Sequence, residues 1–242
     1  MSGHSKWSSI KHQKGAADAK RGAVFSKLSR AITVAARHGT DPGMNFQLRV
    51  AVDQAHGANM PKDNIERAID KARGSDAANL EEIVFEAYGP GGTGFLIEAA
   101  TDNHNRSTGD IRAVLNKNGG KLAESGSVGY LFKRRGQIVF ETDRPDELEL
   151  AAIDAGAQDF ETADGKVFVY TDPKELEHVR RQLAETGFES HDISFVYHPI
   201  ASVPITDEKL AEKIIKLAEA LEELDDVTRV ASNFEIAENL LG

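Results

Sequence analysis

Apolar residues recur at helical spacing through the first third of the chain and at strand spacing after it. On a helix turning 100° per residue, Val24, Phe25, Leu28, Ala31, Ile32, Ala35 and Ala36 fall within one arc, while Lys20, Lys27, Arg30 and Arg37 fall on the opposite side. This spacing predicts an amphipathic helix with one face buried and the other presenting cations. Gly39 and the turn-like Thr40, Asp41, Pro42 and Gly43 end it. A second helix is predicted over 45–56. A third opens at Asn59, Met60 and Pro61, places Ile65, Ala68, Ile69 and Ala72 on one face, and stops at Gly74. Residues 1–76 thus read as a small helical domain.

From Glu82 the period becomes that of strands. Residues 83–88 and 94–100 read as two strands joined by Gly89, Pro90, Gly91, Gly92 and Thr93, a hairpin. A helix follows over 107–118, with Ile111, Val114 and Leu115 inward, and then a strand near 128–132. Residues 135–198 give strand (137–142), helix (145–155), strand (159–162), strand (166–170), helix (173–186) and strand (190–197). That β-α-β-β-α-β order is the ferredoxin-like pattern. The tail adds a strand near 201–205, a helix from 207 to about 223 and a strand around 227–231, and these need partners among the strands of 82–132. The expected fold is therefore α+β in three domains: a basic helical domain at 1–76, a discontinuous α/β middle domain at 77–134 plus 200–242, and an inserted ferredoxin-like domain at 135–199.

Composition narrows the setting. With 40% hydrophobic and 28% charged residues the chain is neither poor enough in apolar side chains for disorder nor rich enough for a membrane. The absence of cysteine excludes disulfides, thiolate metal sites and a cysteine nucleophile, and suits a reducing compartment, so a cytoplasmic location is expected. The start has no apolar core of a signal peptide, and no apolar run approaches the roughly 20 residues that span a bilayer. The first 40 residues are basic, contain serine and are nearly free of acids, a character shared with mitochondrial transit peptides.

Charge changes the picture most. Residues 1–40 hold eight Lys and Arg against the single acid Asp18, a net +7, which leaves −17 for the rest of a chain whose total is −10. A local basic field attracts polyanions even when the whole molecule repels them. Ahead of the first helix, His4, Lys6, Trp7, Lys11, His12 and Lys14 form a Gly/Ser-containing arm with one aromatic ring among cations, a composition suited to ordering on RNA or DNA. Trp7 equally suits a cap on the helical core. The candidate nucleic-acid-binding residues are Lys6, Trp7, Lys11, His12, Lys14, Lys20, Arg21, Lys27, Arg30 and Arg37, with Arg106 as a secondary contact. The competing reading is a protein-only scaffold whose basic face docks on an acidic partner or on the molecule's own acidic domains.

Other motifs carry less. Residues 89–94 satisfy the letter of G-x-G-x-x-G, but a strand follows where a dinucleotide site needs a helix, and Pro90 removes a backbone donor. Asp102, Asn103, His104, Asn105, Arg106 and Ser107 lie at a strand-to-helix turn, where such residues cap helices; a polar contact surface is the functional alternative. The eight histidines are scattered without metal-ligand spacing, and no G-x-S-x-G is present, so neither a metal, a cofactor, a small-molecule substrate nor an enzymatic activity is expected. The acidic run at 219–226 reads as a solvated helix end.

Several stretches, taken together, closely resemble the YebC/PmpR family: GHSKWSSIKHQKGAADAKRGAVFSKLSRAI at 3–32, NMPKDNIERAIDKARG at 59–74, FEAYGPGGTG at 85–94, TDNHNRS at 101–107 and SNFEI at 232–236. The family usually has threonine where Ser107 stands and asparagine where Ser232 stands; both changes keep a polar side chain. The resemblance covers essentially the whole chain and implies a three-domain α+β architecture and a DNA-binding transcriptional regulator. Some members are translation factors, including mitochondrial activators of cytochrome oxidase, for which it implies association with the ribosome, contact with ribosomal RNA and relief of stalling at proline-rich stretches. Carried onto this chain, the nucleic-acid-facing positions would be Lys6, Lys11, His12, Lys14, Lys20, Arg21, Lys27 and Arg30.

Overall fold

The computed structural model describes residues 18–74, 80–163 and 165–237. These divide into two compact units, one formed by Lys133–His198 and the other by the chain on either side of it. The fold class is α+β, with helical, α/β and ferredoxin-like domains, as the sequence leads one to expect.

The helical domain consists of α1 (Asp18–Ala36), α2 (Phe46–Gly57) and α3 (Lys62–Lys71). Asn45 caps α2 by accepting from the Leu48 amide at 3.1 Å. Asn59, at φ 57°, closes α2 in the left-handed conformation that asparagine tolerates, and the Met60 amide bonds back to the Ala55 carbonyl at 2.9 Å. The core joins Ile32, Ala35 and Ala36 of α1 to Leu48, Ala51 and Ala55 of α2 and to Ile65 and Ala68 of α3, with Phe25 and Leu28 packed at its edge. The Thr33 hydroxyl lies 2.9 Å from the Ala68 carbonyl inside this interface.

The middle domain begins with β1 (Glu81–Tyr88) and β2 (Gly94–Thr101), an antiparallel hairpin with Tyr88 opposite Gly94. Then come α4 (His104–Lys117), β3 (Lys121–Leu122) and the start of β4 (Phe132–Glu141). After the inserted unit, β8 (Val203–Ile205), α7 (Glu208–Glu222), β9 (Val227–Ser232) and β10 (Phe234–Ile236) return to the same domain. Its sheet has the order β3-β1-β2-β9, and β8 pairs with β10 in parallel. Asn233 joins these two sheets: its side-chain oxygen accepts from the Gly94 amide at 2.7 Å while its own carbonyl accepts from Val203 at 2.7 Å.

The inserted unit carries the remainder of β4, then α5 (Pro145–Asp154), β5 (Asp159–Ala163), β6 (Lys166–Thr171), α6 (Leu176–Glu185) and β7 (Asp192–Pro199), with sheet order β5-β6-β4-β7. Ile138 pairs with Val169 and Phe140 with Val167, so these four share one sheet face; all are buried, as are Leu148, Ala152, Leu176, Val179 and Leu183 of the helices.

Several expected boundaries move, among them the start of the helix expected at 173, which begins at Leu176, and the strand expected at 190–197, which is Asp192–Pro199. The helix expected from 107 starts at His104, because Asn103 accepts from the Arg106 amide at 3.1 Å and caps it earlier. The separate strands expected at 128–132 and 137–142 are a 3-10 turn (Gly129–Leu131) and one continuous strand, β4. Gly136 looks like a break in sequence but is a packing position: a Cβ there would come within 2.5 Å of the Thr171 hydroxyl and 2.9 Å of Leu176. The acidic run at 219–226, expected as a solvated helix end, is covered in part by α1.

Candidate functional site

The cationic stripe of α1 is not a free face. Val34 is buried on the same side of the helix, and α1 packs against β9 and β2. The Lys27 ammonium donates to the Glu222 carbonyl at the end of α7. Arg30 donates to the Asp225 carbonyl at 2.5 Å and forms an ion pair with Asp226 at 2.5 Å. Arg37 donates to the Leu80 carbonyl at 2.5 Å. A helix C-terminus concentrates unsatisfied carbonyls and partial negative charge, so α7 ending against α1 draws Lys27 and Arg30 to it. Of the other candidates, Lys20 and Arg21 are carried on the first turns of α1. Lys6, Trp7, Lys11, His12 and Lys14 lie outside the described residues.

The same seam ends at the turn 101–107. Asp226 has a side chain only 9% exposed, and its Oδ2 accepts from Ser107 at 2.6 Å, from Arg106 at 2.8 Å and from Thr101 at 3.1 Å, while Oδ1 takes Arg30. Burial pushes the Asp226 carboxyl up, but the hydrogen bonds from Ser107 and Arg106, the Arg30 charge and the Thr101 hydroxyl outweigh it and hold the group below the ordinary aspartate range. Arg106 also pairs with Asp102 at 2.8 Å, and its bonds to these two carboxylates raise its already high pKa further. His104 stacks on Phe85 with ring centroids 5.7 Å apart. Arg30, Asp102, Arg106, Ser107 and Asp226 line an open depression of about 500 Å3, together with Asp110, Glu223 and Asp225.

Arg106 is the secondary contact expected from sequence; its Nη2 is engaged by two carboxylates, while the side chain stays 46% exposed. The turn thus caps α4 and, beyond that, supplies Arg106, Ser107 and Thr101 to one buried acid. Asp226 itself carries no sequence signal, because it is one acid in an acidic run. Glu86 is equally invisible in sequence. It accepts from the backbone amides of Gly126 at 2.7 Å, Val128 at 2.5 Å and Gly129 at 2.8 Å. Burial raises its pKa and these amides lower it, leaving it below the usual glutamate value and fixing the loop before β4.

The inserted unit has its own polar cluster on the sheet face opposite Ile138. Tyr170 is buried there, 3.3 Å from Glu161 and 3.4 Å from Gln137, with His198 at 4.6 Å between ring centroids. Burial pushes the Tyr170 phenol up; burial and the Arg135 charge push the His198 imidazole down.

Comparison with known proteins places this architecture. Residues 5–75 match the model of the TACO1/YebC protein N-terminal domain, and residues 80–234 match that of the TACO1/YebC second and third domain. A relative from Halothermothrix orenii is 49% identical over 249 residues, covering 100% of this chain and 98% of its own length. Another, from Roseiflexus castenholzii, is 50% identical over 250 residues, covering 99% and 97%. Both are named probable transcriptional regulatory proteins. A crystal structure of a conserved hypothetical protein from Aquifex aeolicus superposes with a TM-score of 0.88 at 45% identity, covering 96% of this chain and 98% of that one. With both family models matched in sequence order and relatives similar from end to end, the chain belongs to the TACO1/YebC family.

Proposed function

We propose that this protein regulates transcription by binding DNA, gripping the phosphate backbone through the basic segment that precedes and begins α1. The observation that carries the reading is the charge partition, +7 over residues 1–40 against −17 over the rest. Polyanion attraction is local, and an acidic body behind a basic leader orients the leader toward phosphate. The names of the relatives support the regulatory role. The seam of α1 narrows the contact set: Lys27, Arg30 and Arg37 hold the molecule's own carbonyls and carboxylates, so Lys6, Lys11, Lys14, Lys20 and Arg21, with Trp7 and His12 alongside, carry the contact.

The test is a binding titration on a DNA duplex across a range of salt concentrations. Each phosphate contact contributes about 0.9 to the slope of log affinity against log salt. Neutralising Lys6, Lys11 and Lys14 to Gln is expected to lower that slope by up to about 2.7. A wild-type protein that leaves duplex unshifted at low salt, while protein partners survive complete nuclease digestion, overturns the reading in favour of a scaffold. Crosslinking that recovers ribosomal RNA in place of discrete promoter fragments overturns it in favour of a translation factor.

A further inference from the structure

A second cationic surface lies on the middle domain, separate from the basic leader. On α7, Lys209, Lys213 and Lys216 are exposed and occupy one arc of about 60°, since a helix advances 100° per residue. The exposed acids Glu208, Glu212 and Glu219 fall on the neighbouring arc, so the two signs are segregated along the helix. The lysine arc borders the edge formed by Leu210 and Leu217. A Cβ on Gly91 would meet Leu210 at 2.9 Å, and one on Gly120 would meet Leu217 at 3.3 Å. Two glycine turns, 89–92 after β1 and 119–120 after α4, are therefore seated against the lysine side of α7. Gly119 lies near Pro90 of the other turn, and Lys117 and Lys121 flank the second turn, both exposed. None of the five ammonium groups is in an ion pair or hydrogen bond with a described residue. This contrasts with Lys27 and Arg30, whose charge the fold consumes.

We infer that Lys209, Lys213 and Lys216, with Lys117, Lys121 and the glycine turns between them, form a second surface for the phosphate backbone of a DNA duplex. Charge complementarity selects the occupant: five cations without an ion pair among the described residues, on a molecule of net −10, match a polyanion. The bare turns suit it as well. Gly91, Gly92 and Gly119 have positive φ, and Gly92 has open space where a Cβ would be, so a phosphate can approach the main chain without meeting a side chain. The surface reads no bases. It positions a duplex whose first contact is the leader, and it rests on the DNA-binding reading above.

The experiment is the same salt titration on the full chain carrying Lys209→Gln, Lys213→Gln and Lys216→Gln together. Glutamine keeps helix propensity close to that of lysine, and an unchanged melting temperature confirms that α7 is intact. The expected result is a slope lower by about 0.9 for each phosphate no longer neutralised, up to about 2.7, and weaker binding at every salt concentration. A variant with wild-type affinity and slope overturns this surface and leaves the leader reading standing. A wild-type protein that fails to bind duplex removes both. A variant impaired only on an RNA stem-loop, with duplex binding intact, overturns the assignment to DNA.

Discussion

Asp226 shows how one side chain can join segments that no local pattern connects. It accepts from Arg30, Arg106, Ser107 and Thr101, and the first of these lies 196 residues away in the chain. Removing one partner of a buried ion pair costs about 3–5 kcal/mol when the survivor stays buried. Here Arg30 and Arg106 keep 30% and 46% exposure and can rehydrate, so Asp226→Asn is expected to lower stability by about 2–3 kcal/mol at neutral pH. The pH dependence has a definite sign. A carboxyl whose folded pKa is depressed stabilises the fold above its unfolded pKa and loses that contribution as pH falls through the folded value. The gap between wild type and Asp226→Asn should therefore be full above about pH 4 and shrink below it, as measured by denaturant unfolding at stepped pH. A gap that stays constant from about pH 7 to about pH 3 contradicts this account of the site.

At the scale of elements, the β1–β2 hairpin separates two reasons for a glycine. Gly89 has φ −101°, open to any residue, yet a Cβ there would lie 2.3 Å from the ring of buried Phe95 and 2.5 Å from the Thr93 hydroxyl. Gly92 has φ 79° and nothing near its missing Cβ. Gly89→Ala is thus expected to lower stability by about 1–3 kcal/mol through overpacking. Gly92→Asn should stay within about 0.5 kcal/mol, since asparagine tolerates the left-handed region. Thermal melts of the two variants decide it, and equal losses of stability would refute the packing argument.

The same distinction explains what is legible in the sequence. Periodicity exposes the helices, the hairpin and the ferredoxin-like order because burial on one face leaves a repeating trace. Gly136 suggests a boundary where there is none, because a packing glycine and a breaking glycine look alike in one dimension. Lys27 and Arg30 share a side of α1 and Arg37 follows just past its end, but the direction of that side is not readable: a helical period says which residues share a side, not what that side faces. The partners of Lys27, Arg30 and Arg37 at Leu80, Glu222, Asp225 and Asp226 come from remote segments and include main-chain carbonyls, which have no sequence signature at all.

At the scale of the whole molecule, the α1 seam divides the basic residues into those that hold the helical domain to the middle domain and those left for a partner. If Arg30 belongs to the first group, its energetic effect must depend on Asp226. A double-mutant cycle with Arg30→Ala and Asp226→Asn is expected to show coupling of about 1–3 kcal/mol. Breaking the pair should also raise amide hydrogen exchange in α1, whose attachment it weakens, while α5 and α6 of the inserted unit keep their protection. Additive effects, or exchange that rises equally in both units, would mean that Arg30 does not fasten the seam and that its charge is available to phosphate. The outcome governs how a weakening of DNA binding is interpreted: substitutions at Lys27 or Arg30 disturb the junction, so the leader and the α7 lysines are the positions where charge can be removed with the fold as a control.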